Sequence, residues 1–430
     1  MEKRISDNHS YQKLRAEMAG AANLQKLLML SDPSGERFAE IIRILDKVPE
    51  FQKQLEVVAA MPDEFNKYYF DRGWIAYESM DSQLIGSALA LAQNGRIDDG
   101  EKMLIDHYQP EKLKFRINFI RGVTEFQPRM RLIELAMVDY FENRYHACIP
   151  VLIMMIDGVV NDITKDFGFF SENVDVTATD SIAAHESGLM RLSKLLSKAK
   201  NKTNVDEIGL PLRNGILHGR ELAYDNKMVA AKSWALLFAV RDWIVAKRKI
   251  AKQGEEKRKK TIQEAIEELK AIQETNYLIE RWMARVLIVG EQIPSKGNVD
   301  DYENNTPEQA TIKFILYWMK GNYGKMSEMM VRFKGAGETN KKLAGELREA
   351  FEQIDLTGYE LVSVEDKAPV VTEVKTNVML TIKNRTESKE LTFRWIYRNE
   401  DSLLLTRGLQ GGQWYLIDNF RLEVSLLKLE

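Results

Sequence analysis

The sequence predicts a multidomain chain: an all-α N-terminal region and a helical bundle, then a smaller α+β domain with an antiparallel sheet. Three observations carry that reading. At 430 residues the chain is too long for one ordinary domain, so two or three are expected. Up to about residue 290 apolar residues recur at helical spacing and strand signatures are scarce. From Thr306-Pro307-Glu308 onward the texture changes to two helices followed by segments rich in Val, Thr, Tyr and Trp. Helices first and strands afterwards argue for an α+β domain.

The N-terminal region, 1–110, opens on a mixed stretch that ends in the turn cluster Ser31-Asp32-Pro33-Ser34-Gly35. Phe38, Ile41, Ile42, Leu45 and Val48 then place a helix from Glu36 to about Ala60. Further helices are expected at 62–78, 81–93 and 97–108, the last two joined by a turn at Asn94–Gly100. Asp71-Arg72-Gly73-Trp74 catches the eye, but an Arg beside a Trp reads as packing. A helical bundle over 111–252 follows, with helices at 112–121, 128–142, 145–165 and 181–199 and a closing helix from about 227. Val151 to Ile156 is apolar on all sides, as in a helix buried within a bundle, and Asp157 interrupts it. A buried carboxylate must be paired or hydrogen-bonded.

Lys247 to Lys260 carries eight Lys/Arg against two Glu, which reads as a solvated face or as a phosphate-contacting ridge. Residues 253–292 form a connecting charged helix, amphipathic from Thr261 to about Val289, and 293–305 are a linker by composition. In the last domain, 306–430, helices are expected at 307–320 and 339–355. Strands are expected at Tyr359–Val364, Val370–Ile382, Lys389–Tyr397, Ser402–Leu405 and Trp414–Phe420. Arg394, Trp395 and Tyr397 are candidates for either sheet packing or pocket lining.

A net charge of −3 and a pI near 6.1 give no global electrostatic case for nucleic-acid binding, so any such contact must be local. Cys148, the single cysteine, cannot form an internal disulfide and points to a reducing compartment. No signal-peptide region opens the chain, and no uninterrupted apolar stretch reaches the length of a membrane span. A cytoplasmic protein with no membrane partner is expected. The histidines at 9, 107, 146, 185 and 218 show no metal-ligand spacing, and no phosphate-binding loop, dinucleotide fingerprint or nucleophile elbow is present. Neither metal nor cofactor is expected.

The densest chemistry lies in Gly-Leu-Pro-Leu-Arg-Asn-Gly-Ile-Leu-His-Gly-Arg, residues 209–220. Pro211 suits the first turn of a helix and Gly219 the position past its end, giving about two turns from Pro211 to His218. Asn214 and His218 then share one face, with Arg213 to the side. Arg-Asn followed by His-Gly, with Arg213 and His218 five positions apart, resembles the RNase signature of the HEPN superfamily. Tyr145 to Gly158 is similar to that family's apolar helix bearing an acidic residue, and Met228 to Val245 to its closing helix. The likeness covers roughly 110–250, about a third of the chain. The C-terminal region, with its Gly-Gln-Trp-Tyr-Leu-Ile-Asp ending, resembles the nuclear-transport-factor-2-like cone fold, whose members enclose a pocket or bind partners.

The residue set fits metal-free RNA cleavage, because RNA supplies its own 2′-hydroxyl nucleophile. An imidazole can transfer the proton and a guanidinium can neutralise the phosphorane. Arg213, Asn214, His218 and Asp157 are the catalytic candidates, with Asp157 orienting the motif, and Arg220 and Tyr224 the substrate-binding ones. The resemblance further implies an RNA substrate, one composite site built across a homodimer, products ending in 2′,3′-cyclic phosphate and 5′-hydroxyl, and a toxin or anti-phage abortive-infection setting. Two other readings compete. In one, the motif is a buried polar helix end, with His218 capping carbonyls and Arg213 paired to Asp157. In the other, the bundle is a non-catalytic dimeric scaffold whose C-terminal domain binds a small molecule or protein.

Overall fold

The computed structural model describes residues 4–31, 42–43, 45–165, 167–198, 201–252, 275, 277–332, 339–383, 385–399, 402–407, 409–418, 420–421, 424 and 427. The chain divides into two compact units. The first comprises 1–113 and 125–256, and the second 114–124 and 257–430. The first is almost wholly helical, and the second is an α+β unit with a four-stranded antiparallel sheet. The expected boundary near residue 110 therefore falls inside one compact unit, and the segment 114–124 groups with the C-terminal residues.

In the first unit the helices are α1 (His9–Ser31), α2 (Val48–Tyr69), α3 (Ser82–Gln93), α4 (Ile97–Asp106), α5 (Pro110–Arg121, whose residues from Lys114 group with the second unit), α6 (Met130–Phe141), α7 (Tyr145–Thr164), α8 (Leu189–Leu196), the short α9 (Arg213–Leu217) and α10 (Lys227–Lys252). Asp81 starts α3 by accepting from the Gln83 and Leu84 N–H groups. The expected break near residue 61 is absent. α2 runs through Pro62, which is buried with Ala59, Phe65 and Tyr69, and burial of that face outweighs one missing backbone bond. The chain leaves the helix at Gly73, with φ of +85°, so the helical reading of 73–78 is replaced by a buried non-helical stretch, Trp74 to Tyr77.

The centre of this unit is α7, packed against α6 and α10. Cys148, Ile149, Leu152, Ile153, Ile156, Val159 and Val160 are buried, and burial pushes the Cys148 thiol up, away from nucleophilic thiolate. Among the described residues α7 is the one helix long and apolar enough to cross a membrane by length and composition, although Asp157 and Asp162 interrupt its apolar run. Its packed face and its ion-paired Asp157 are those of a core helix. The turn cluster at 32–35, the start of the helix predicted from Glu36, and the whole of the 253–274 stretch lie outside the described residues. Of the basic run, Arg248 pairs with Glu125 and Lys247 lies 5.3 Å from the Trp243 ring centroid.

The second unit begins earlier than Thr306. Helix ends by Arg281, and the expected helix to Val289 is replaced by chain that bridges the sheet at Val286↔Glu365. The residues read as a linker are structured, with Tyr302 buried in the core and its hydroxyl donating to Pro294 O at 2.9 Å. α11 (Pro307–Met319), α12 (Tyr323–Glu328) and α13 (Asn340–Phe351) are capped by Thr306, Asn322 and Thr339. β3 (Asp355–Ala368), β4 (Val371–Ile382), β5 (Arg385–Arg398) and β6 (Gln413–Ile417) follow in that spatial order. Ser402–Leu405 forms only a single bridge, Arg398↔Leu404. Phe314, Trp318, Phe351, Phe393, Trp395 and Phe420 fill the space between helices and sheet. Trp395 donates to Thr311 Oγ1 at 2.7 Å, and Arg394 pairs with Glu373 at 2.6 Å. These side chains pack the sheet.

Asp366 draws the entering chain in. Arg285 reaches it at 3.1 Å and Glu308 at 3.0 Å, and Arg407 reaches Asp366 at 2.6 Å. Burial raises the Asp366 carboxyl, but the two guanidiniums, the Arg285 N–H and the Thr372 hydroxyl overcome it and hold the group well below the ordinary carboxylate range. Arg285→Met strands buried Glu308 and leaves Asp366 with Arg407 and Thr372, and should cost about 3–5 kcal/mol in urea unfolding of the second unit. The folded value lies below the unfolded one, so this contribution is full above about pH 4 and is lost as the pH falls through the lower folded value. An unchanged midpoint at pH 7 would refute the assignment.

Candidate functional site

Residues 204–223 form a strand–helix–strand clip around the motif. β1 (Asn204–Glu207) and β2 (Glu221–Ala223) pair in parallel, and α9 lies between them in sequence. The helix is five residues long, shorter than expected. Leu212 is its N-cap, so Pro211 stands outside it and the first turn begins at Arg213. Gly219 has a φ of +67°, the left-handed conformation that ends a helix at low cost to glycine. Gly215 answers a different need. A Cβ there would meet Glu221 Cγ at 2.4 Å, and Glu221 is fully buried, bonded by Asn204 Nδ2 at 2.7 Å.

Asp157 enters the site from α7. Its Oδ2 lies 3.4 Å from an Arg213 terminal nitrogen and its Oδ1 accepts from the Phe170 N–H at 3.3 Å. Arg213 donates from its other terminal nitrogen to Asn214 Oδ1 at 2.9 Å. Asn214 Nδ2 in turn donates to the Ser197 carbonyl at 2.6 Å. Both ends of the Asn214 amide are thus taken up inside the protein, and Arg213 is held at two points. The pairing of Asp157 with the motif, expected from the sequence, is present.

His218 differs from its neighbours. It caps the C-terminal end of α9, its ring is exposed, and it has no side-chain hydrogen bond or ion pair among the described residues. The reading in which His218 caps carbonyls at a buried helix end does not hold for that residue. Arg220 is exposed and donates to Asn201 O at 2.9 Å. The Tyr224 hydroxyl donates to His146 O at 3.1 Å, tying the chain after β2 to the first turn of α7.

Sequence reasoning missed the support behind the motif. Lys232 of α10 donates to the Gly209 carbonyl at 2.6 Å, four residues before Arg213, and pairs with buried Glu101 at 2.8 Å. Arg72 and Trp74 also donate to Glu101, at 2.5 and 3.1 Å. Burial raises the Glu101 carboxyl and lowers the Lys232 ammonium; the donors around Glu101 leave it below its ordinary value. The Asp71–Trp74 stretch is therefore part of the scaffold that fixes the motif's entry. No signal in the sequence links Glu101 to a lysine 131 positions on, since only the packing of α4 against α10 joins them.

Among the described residues no three His, Cys, Asp or Glu side chains converge as a metal would require. No family model, curated protein or solved structure matches the chain.

Gly215→Ala pits two effects against each other. Helix propensity favours Ala by about 1 kcal/mol, whereas overpacking a tight contact costs about 1–3 kcal/mol. With fully buried Glu221 in the way, net destabilisation is expected, read as a lowered melting temperature. A raised one would show that Glu221 has room to move.

Proposed function

We propose that the chain is a metal-independent endoribonuclease of HEPN type, acting in the cytoplasm as a toxin or anti-phage effector. The observation that carries this reading is the contrast across α9: a clamped guanidinium at its start and, at its C-cap, an exposed imidazole with no partner among the described residues. A group that only held the fold together would be engaged. One left open at a helix end, in the same short motif as a fixed cation, suits proton transfer to or from RNA.

In this account His218 takes the proton from the 2′-hydroxyl or gives one to the leaving 5′-oxygen. Arg213 faces the phosphorane with the donors that Asp157 and Asn214 do not use. Asp157 and Asn214 are positioning residues, because their polar atoms point into the protein. Exposed Arg220 contacts the backbone of the bound strand, and Tyr224 shapes the same edge. One His and one Arg leave much of the transition-state charge uncovered. A homodimer with its two-fold axis beside Pro211–Gly219 doubles both groups around one phosphate. The second unit, which resembles the nuclear-transport-factor-2-like fold, gates this activity.

His218→Ala and Arg213→Ala should each reduce RNA cleavage in EDTA by about 10²–10⁴-fold with the circular dichroism spectrum unchanged. Asn214→Ala should lose less, because the Asp157 anchor remains. Cleavage within a few-fold of wild type in the His218 variant would end the catalytic assignment.

A further inference from the structure

The second unit contains a cavity of about 490 Å³, within the range of small-molecule sites. Lys313 of α11, Met329 just past α12, and Trp414 and Tyr415 of β6 are among the residues that line it. Trp414 packs into the core between helices and sheet. Tyr415, one residue on, faces the other side of the sheet, where its ring centroid lies 4.2 Å from the Arg398 guanidinium. A cavity that touches both residues lies along the edge of the strand.

β6 ends the sheet, so one row of its backbone groups faces away from β5. Leu416 shows which row that is. Its N–H donates to Met329 O at 2.8 Å, and its carbonyl accepts from the Val331 N–H at 2.9 Å. Trp414, two residues earlier, presents its N–H and carbonyl to the same edge. Tyr397, opposite Trp414 in β5, agrees with this register. Its N–H donates to Val370 O and its carbonyl accepts from the Leu405 N–H, so it forms a non-hydrogen-bonded pair with Trp414. At the near end of the strand the Gly412 carbonyl is taken by Asn305 Nδ2 at 3.2 Å. The edge is thus closed at Gly412 and at Leu416 and open at Trp414, whose backbone N–H and carbonyl have no partner among the described residues. The gap is one residue long.

The frame around the gap is built in. Asn305 holds a left-handed φ of +57°, and its carbonyl accepts from Trp414 Nε1 at 3.0 Å. Buried Gln309 accepts at Oε1 from the Asn305 N–H at 3.3 Å and from the Lys313 ammonium at 3.0 Å. Lys313 therefore lines the cavity on a neutral partner, with no carboxylate in ion-pair range among the described residues. Lys325, also in the lining, is neutralised by Glu328 at 2.8 Å. Both are exposed and mark where the cavity opens to solvent.

We propose that this cavity captures the C-terminal end of an extended peptide chain. The last residue pairs with Trp414 as a single rung of strand: its amide N–H donates to the Trp414 carbonyl, and its terminal carboxylate accepts from the Trp414 N–H. Lys313 meets the same carboxylate and supplies the missing charge. A strand running on in both directions would meet Asn305 at one side and Met329 at the other, whereas a chain end needs only the one open position. The preceding residues leave past Lys325 and Glu328.

The test is calorimetric titration of the full chain with N-acetyl-alanyl-alanine, whose small side chains suit a cavity of this volume. Its C-terminal amide and the acid methylated on its last amide nitrogen are titrated alongside. The acid should bind, the other two at least tenfold more weakly, and a longer peptide with the same last two residues at least as tightly as the acid. Lys313→Gln should bring the acid's affinity down to that of the amide. Hydrogen exchange reads the edge itself: in the free protein the Trp414 N–H should exchange faster than the Leu416 N–H, and the acid should slow it. The proposal is overturned if the acid does not bind, if the amide or the N-methyl acid binds as tightly, or if the longer peptide is rejected. It is equally overturned if Lys313→Gln leaves the acid's affinity intact, or if the Trp414 N–H is as protected as the Leu416 N–H in the free protein.

Discussion

Asp157 is the constraint around which the first unit is arranged. It sits, 26% exposed at its side chain, in a helix whose buried residues are Cys148 and aliphatics, where pairing lowers the cost of its partly buried charge. Arg213 answers it at 3.4 Å, and the Phe170 N–H adds a second contact. That pairing is one of the contacts that set where α9 docks. Once Arg213 is drawn to α7, Asn214 faces Ser197, and the helix is clamped at its start while its end, His218, faces solvent. A five-residue helix has no stability of its own, so its geometry is set by these partners and by the β1–β2 clip.

The same logic recurs with other residues. Glu101 gathers Lys232, Arg72 and Trp74 to fix the approach to the motif, and Asp366 gathers Arg285 and Arg407 to close the second unit. Removing one partner from such a cluster leaves a buried charge, at about 3–5 kcal/mol. Surface pairs such as Lys13 and Glu17, 3.7 Å apart with side chains 65% and 59% exposed, contribute about 0–1 kcal/mol. The buried pairs decide the architecture.

What was legible in the sequence was local. α3 and α4 could be placed to within a residue or two because a capping Asp81 and the Asn94-Gly95 turn mark their ends. The partnership of Asp157 with the motif was readable because a lone carboxylate in an apolar run demands one. The C-terminal sheet followed from alternation in Val370–Ile382 and Lys389–Tyr397, and the strands formed are Val371–Ile382 and Arg385–Arg398. What depends on distant partners was not legible. β1 and β2 are too short to carry a pattern and exist by pairing with each other. The chain from Trp282 to Val289 has helical composition, but Asp366 and the bridge to Glu365 hold it out of a helix. The grouping of 114–124 with the C-terminal residues rests on contacts such as the buried pair Arg121–Asp418, 297 positions apart.

The central claim is that an exposed imidazole, five residues from an anchored guanidinium, cleaves RNA without a metal. Its most direct test is purified wild-type protein incubated with total RNA in EDTA, followed by chemical analysis of the fragment ends. Fragments ending in 2′,3′-cyclic phosphate and 5′-hydroxyl are predicted, since only attack by the adjacent 2′-hydroxyl forms that pair. Intact RNA, cleavage that appears only on adding Mg²⁺, or fragments bearing 3′-hydroxyl and 5′-phosphate ends would contradict it.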